Sequence, residues 1–278
     1  MADTSPPSES LTSILSVDKA GERAFSANLE GAWGETSACD LLARVGLAVS
    51  SVSDKTLHSL HACHLAPNVA DTPITLEVEL LQEGSIFARY RIMVRQAGTL
   101  CCDAIASMVA EEDGRGYQSA SPDPQLPSPE DLPTERETAE KEGWLPYATG
   151  PIETRRISER RDPAAPGETT IWNGWLMPRE PLPRDDAAMH MAALIYASGY
   201  RSHWAVEKRL GDEFDPAKFT SLDHALWVHR ALPWHDWWLA RTTTEVAHAG
   251  RALSRREIFN REGILIASMA EEAQIVAK

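Results

Sequence analysis

Long runs of alternating apolar and polar residues follow a single alanine-rich helical pattern, and this happens twice; no other feature narrows the fold as much. Ile74, Leu76, Val78 and Leu80 alternate with Thr75, Glu77 and Glu79. After a turn at 82–85, Ile86, Ala88, Tyr90, Ile92 and Val94 alternate again, and a turn at 96–98 leads to a third run over 100–109. Period-two alternation marks antiparallel strands with one buried face, and short turns between them make a meander. Upstream, Leu41, Leu42, Val45, Val49 and Val52 repeat at helical spacing after an opener at 34–37, and Ala38 and Ala48 keep that helix slim. The run 57–65, ending before Pro67, reads as a strand between helix and meander.

The second half repeats this order. Strand-like runs at 152–157 and 169–176 precede the helix opener Asp185-Asp186, and Ala188, Met191, Ala192 and Ile195 then share one helical face up to Gly199, a good C′ residue. Further strand runs follow at 221–230, 236–248, 251–260 and 264–276. Ile105-Ala106-Ser107-Met108 recurs as Ile266-Ala267-Ser268-Met269, 161 residues on, and His61-Ala62 lies on His224-Ala225 at 163. The repeat predicts an α+β chain of two tandem units, each a long antiparallel sheet wrapped around one central helix, with the units pairing sheet to sheet. The boundaries read as a flexible N-terminus at 1–18, a first unit at 19–118, a Pro/Glu-rich linker at 119–149 and a second unit at 150–278.

Composition excludes several classes. With 43% hydrophobic and 24% charged residues the chain is of the soluble globular type. A net charge of −14 argues against nucleic acid as a partner. No apolar run approaches the length of a membrane span. The four cysteines, Cys39, Cys63, Cys101 and Cys102, have no metal or disulfide spacing and read as reduced thiols. The start lacks a signal peptide and Val276-Ala277-Lys278 is not a peroxisomal tripeptide, so a cytoplasmic location is expected.

Chemistry concentrates in 221–230. Leu222, His224, Leu226 and Val228 fall on one face of this strand, and Asp223, Ala225, Trp227 and His229 on the other. A carboxylate among large apolar neighbours is costly to bury unless paired or used, which marks Asp223 as the candidate catalytic group. His58, His61 and His64 would form a metal face on a helix; on a strand the middle one points away, and no metal or other cofactor is expected. There is no P-loop, dinucleotide fingerprint or serine-hydrolase elbow.

Several stretches together resemble the double hot-dog acyl-CoA thioesterases of the type II, TesB-like family. They are Leu57-His58-Ser59-Leu60-His61-Ala62 with Pro67, Glu83-Gly84-Ser85-Ile86-Phe87-Ala88, Ile195-Tyr196-Ala197-Ser198, the string Ser221-Leu222-Asp223-His224-Ala225-Leu226-Trp227-Val228-His229-Arg230, and Glu257-Ile258-Phe259 through Gly263-Ile264-Leu265-Ile266-Ala267-Ser268. The resemblance implies hydrolysis of an acyl thioester by a water held between an Asp, a Ser or Thr, and a Gln. Asp223 matches the Asp, Thr244 is the hydroxyl nearest the expected position, and Glu271 stands where the family has its Gln. Gly199 is a second departure, since the family often has Asp after Tyr-Ala-Ser.

The expected substrate is an acyl-CoA or an acyl-carrier thioester. Binding residues are expected at Gly34, Glu35 and Thr36, whose backbone would meet the oxyanion at a helix start, and at His61, His224, Trp227 and Arg255. Two carboxylates in one site would favour a shared proton, so a dehydratase, isomerase or cyclase using Asp223 and Glu271 as acid and base is the alternative. A non-catalytic acyl-binding protein is the third. Oligomeric state is open, a homo-oligomer included.

Overall fold

The computed structural model describes residues 10–29, 38–69, 72–143, 150–157, 170–211, 215 and 218–276. The first half contains α1 (Leu11–Ile14), β1 (Asp18–Lys19), β2 (Ala24–Asn28), α2 (Ala38–Ser50), β3 (Thr56–His64), β4 (Pro73–Glu83), β5 (Phe87–Gln96) and β6 (Thr99–Val109). A 3-10 turn at Pro129–Asp131 and α3 (Glu135–Glu142) follow. The second half holds β7 (Ile152–Ile157), β8 (Thr170–Pro178), α4 (Ala187–Gly199), α5 (His203–Leu210), β9 (Thr220–Val228), β10 (Trp238–His248), β11 (Arg251–Phe259) and β12 (Leu265–Gln274).

The strands form one antiparallel sheet in the order β1-β2-β4-β5-β6-β3-β9-β12-β11-β10-β8-β7. Outward from the β3–β9 seam, the two halves carry matching elements in matching order, which is the arrangement of a double hot-dog. The units join edge to edge, with Leu60 opposite Leu226 and Ala62 opposite His224, rather than sheet face to sheet face. Edge pairing satisfies the backbone groups that each half-sheet would otherwise leave open at its last strand.

The register corrects one detail of the repeat. His224 is inward and His61 outward, because His61 sits opposite Ala225 rather than Leu226 or His224. The offset of 163 is therefore out of phase, whereas Ala106 and Met108 face inward, as do Ala267 and Met269 at an offset of 161.

The helices α2 and α4 lie side by side, antiparallel: Cys39 approaches Gly199, and seven residues later Gly46 approaches Ile195. A Cβ on Gly46 would stand 2.2 Å from Ile195 Cδ1, so the glycine permits the close crossing. Because the sheet encloses α2 on its remaining sides, even its charged residues are buried. Asp40 and Arg44 pair one turn apart, and Arg44 also donates to the carbonyl oxygens of Ile14 and Asn28.

Three expectations change. Residues 10–18 are not loose: Ser10 caps α1, and Leu11, Ile14 and Leu15 are buried in the core. The linker contains α3, opened by a Thr134–Glu137 capping box and tied down by Glu135, which is buried against Arg179 and Arg201. Finally, α4 begins on an Asp186 N-cap as expected, but Gly199 is its last helical residue, and the left-handed position is Arg201, at φ 55°. Gly199 is needed for space instead, since a Cβ there would meet Cys39 Sγ at 2.8 Å.

Candidate active site

The described residues converge where the start of α2, the end of α4 and the inner face of β9 and β12 meet. Glu271 is the polar centre. It is only 3% exposed, and it sits directly opposite His224 on β9. Ser221 Oγ donates to its Oε1 at 2.5 Å. Its other oxygen, Oε2, is buried with no hydrogen-bond partner among the described residues. Burial raises the carboxyl's pKa above the ordinary value, and the Asp223 charge adds to the rise; hydrogen bonding to Ser202 and Ser221 and the Arg256 charge act the other way.

Ser221 reaches Glu271 because β9 is irregular. Asp223 is opposite Glu272, but the next paired position places Ser221 opposite Ala273, so Leu222 is an extra residue in the ladder. A bulge of this kind reverses the alternation on one side of it. Ser221 therefore joins His224 on the inner face, where strict alternation would have put it with Asp223 outside.

Arg256 lies beneath the end of α4. Its Nη1 donates to the carbonyl oxygens of Ala197, Ser198 and Tyr200, and its Nε donates to Thr242 Oγ1. A cation at a helix C-terminus satisfies carbonyls that have no partner within the helix. Burial lowers its pKa to about 10, while Cys39 and Glu271 favour the charge, which keeps it cationic at neutral pH. Cys39 completes the enclosure from α2, and burial pushes its thiol up to about 12, so it is present as the neutral thiol. His64 is another inward histidine; its Nε2 is buried with no partner among the described residues, and burial lowers its pKa.

The structure divides the residues expected from sequence. Glu271 and His224 come together. Asp223 is exposed on the opposite face, where its Oδ1 accepts a hydrogen bond from the Glu272 backbone N–H at 3.1 Å. Its charge nonetheless reaches the inner face, where it favours the protonated forms of Glu271 and His64. Thr244 faces inward in the same cross-strand row as Glu271, but with β11 between them, roughly 10 Å at ordinary strand spacing. Its hydroxyl donates to the Leu253 carbonyl instead.

His61 and Trp227 are also outside, packed edge to face at 5.2 Å on the exposed side of the sheet. Arg255 is exposed and paired with Glu245 at 3.3 Å. Gly34, Glu35 and Thr36 lie outside the described residues. Among those described, no cluster of three His, Cys, Asp or Glu side chains is placed to hold a metal. Arg256, a candidate from sequence for the CoA phosphates, is buried on the α4 carbonyls instead. The residues that sequence reading missed are Ser221, Ser202 and Cys39; Ser221 was hidden by the bulge, and the other two act across tertiary contacts with no signature in sequence spacing.

A family model described as the acyl-CoA thioesterase C-terminal domain matches residues 129–275, more than half of the chain. The chain belongs to the TesB-like acyl-CoA thioesterase II family. Among curated relatives, acyl-CoA thioesterase 2 of Haemophilus influenzae is 28% identical over 242 residues, covering 80% of each chain. Human acyl-coenzyme A thioesterase 8 is 24% identical over 260 residues, covering 85% of this chain and 78% of its own. Among solved structures, the acyl-CoA thioesterase II TesB2 of Mycobacterium marinum superposes with a TM-score of 0.80 at 24% identity, over 97% of this chain and 99% of that one. A hot-dog protein of unknown function from Alicyclobacillus acidocaldarius gives 0.77 at 15% identity, over 96% and 98%. These superpositions show the double hot-dog fold of the family. No helix among the described residues is long and apolar enough to cross a membrane.

Proposed function

We propose that the protein hydrolyses acyl-CoA thioesters with a water activated by Glu271, in place of the Asp223-centred arrangement suggested by sequence. The observation that carries this reading is the buried Glu271 carboxyl, bonded by Ser221 at one oxygen and unpartnered among the described residues at the other. Burial brings its pKa upward, nearer the range in which a carboxylate both exists and accepts a proton effectively. Oε2 takes a proton from water while the hydroxyl of Ser221 holds the carboxylate in orientation.

The start of α2, adjacent to Gly199 through Cys39, brings backbone N–H groups and the positive end of the helix dipole toward the carbonyl oxygen that becomes anionic. The next inward residues along the same strands, Leu226 and Met269, are apolar and suit an acyl chain. Four thiols without disulfides fit the reducing cytoplasm.

The test is release of CoA thiol from acyl-CoAs of graded chain length, by wild type and by Glu271→Gln. A fall in kcat of about 10²- to 10⁴-fold in a variant that melts like wild type is expected from loss of the base. Turnover at the wild-type rate would remove Glu271 from the chemistry.

A further inference from the structure

Ser198 and His224 form a buried pair behind the site, with 2.9 Å between Oγ and Nε2. The rest of Ser198's hydrogen bonding fixes the direction of that bond. A hydroxyl has one proton to give. Ser198 Oγ donates it to the Ile195 carbonyl at 2.7 Å, one turn back along α4. Toward His224 the oxygen therefore accepts, and Nε2 carries the N–H. Burial holds the imidazole neutral, lowering its pKa to about 3. A neutral ring with its proton on Nε2 has a bare lone pair on Nδ1.

That lone pair is on the site's side of the ring. A Cβ on Gly199 would lie 3.5 Å from Cε1 of His224 and 3.8 Å from Nδ1. Glu271 is the direct cross-strand partner of His224 on the inner face, which places their Cβ atoms about 5 Å apart. One small molecule between them is within hydrogen-bond reach of both side chains.

We propose that His224 Nδ1 is the second hydrogen-bond acceptor for the attacking water, on the edge of the ring nearest the Gly199 backbone and the Cys39 thiol. The inference rests on the reading of Glu271 as the base. Water gives one proton to Glu271 Oε2 while its oxygen bonds to the thioester carbonyl carbon. The C–S bond then breaks, the electron pair leaves with the CoA sulfur, and that sulfur receives the proton from Glu271. The second water proton, held by Nδ1 during attack, stays with the acid product. His224 gains no proton at any stage, in keeping with its neutral ring. Ser198 is a positioning residue that acts through His224 by fixing the tautomer.

Two substitutions separate this role from simple packing. His224→Asn offers an amide oxygen near the place of Nδ1 but falls short of Ser198. His224→Gln reaches Ser198 with its terminal amide and offers no acceptor at Nδ1. The proposal expects His224→Gln to lose about 10²-fold in kcat with little change in KM, and His224→Asn to stay within about tenfold of wild type.

The reverse order, or a Gln variant at the wild-type kcat, overturns it, because a structural role needs the Ser198 bond and not the Nδ1 lone pair. If neither variant folds by circular dichroism, Ser198→Ala decides. Freed of its acceptor, Nε2 no longer dictates the tautomer, so kcat should fall severalfold at constant KM; an unchanged kcat overturns the proposal. Glu271→Gln in the same assay keeps the two ideas apart, since persistence of its activity indicts the base assignment and not His224.

Discussion

On the inner face of β9 and β12, Glu271 meets Ser221 and His224 in a buried setting; on the outer face of the same strands, Asp223 meets the Glu272 N–H and solvent. Glu271 and Glu272 are neighbours in sequence, and Asp223 is next to His224. What separates the two carboxylates is strand parity, which decides the side of the sheet that α2 and α4 cover. Burial on that side raises the pKa of Glu271. The family-specific string 221–230 thus locates the site through its flanking Ser221 and its His224, while its most conspicuous acid points away.

Removing each carboxylate's charge in turn puts this contrast under the greatest load. Glu271→Gln should lose about 10²- to 10⁴-fold in kcat, and Asp223→Asn should stay within about twofold, the range of a surface change. Equal losses in steady-state thiol release would erase the distinction between the faces.

Ser221→Ala has the next largest effect. The bond from Ser221 lowers the pKa of Glu271, so its loss should move the pKa up. Activity of a carboxylate base rises with pH through that pKa, and the rising limb of kcat against pH should move to higher pH. Below the plateau, turnover should then be roughly tenfold lower for every pH unit by which the limb has moved. A limb in the wild-type place would show that Ser221 does not bear on the base.

Stability should report the same burial with opposite signs. His224 has its folded pKa depressed from 6.5 to about 3. Its contribution is therefore fully present above about 6.5 and lost as pH falls through that range toward 3. Glu271 has a raised folded pKa, so its contribution is present below 4.5 and lost as pH rises through the raised value. Thermal melts across pH should show Glu271→Gln gaining on wild type toward neutrality, by about 1.4 kcal/mol for each tenfold by which folding strengthens proton binding at Glu271. Asp223→Asn should show no such gain.

The smallest effect belongs to the outer face. Arg255→Ala breaks only an exposed pair with Glu245 and should cost less than about 1 kcal/mol in chemical denaturation. A larger loss would mean that this face is covered in solution.

Much of the fold was legible. The alternation in β4 and β5, the slim helix before them and the recurrence at 161 residues all follow from local periodicity, which the chain must show wherever one face is buried. The short α1, α3 and α5 lack that clarity, because few residues in each take part in the core. In the site, Glu271 and His224 were legible as inward positions. Ser221 was not, because a single extra residue in the ladder turns a side chain to the other face without altering the composition around it.

Residue order alone was enough to specify two helix-and-meander units, their succession along the chain, and an acid at 271 on the covered face. Tertiary packing was needed to choose which hydroxyl meets that acid, to rest the end of α4 on Arg256, and to bring Cys39 into the room that Gly199 leaves beside His224. Periodicity is a property of one segment and its environment, and so it can be read from the chain. Contacts between the end of one helix, the start of another and a bulged strand depend on how the units close together, and no local pattern encodes them.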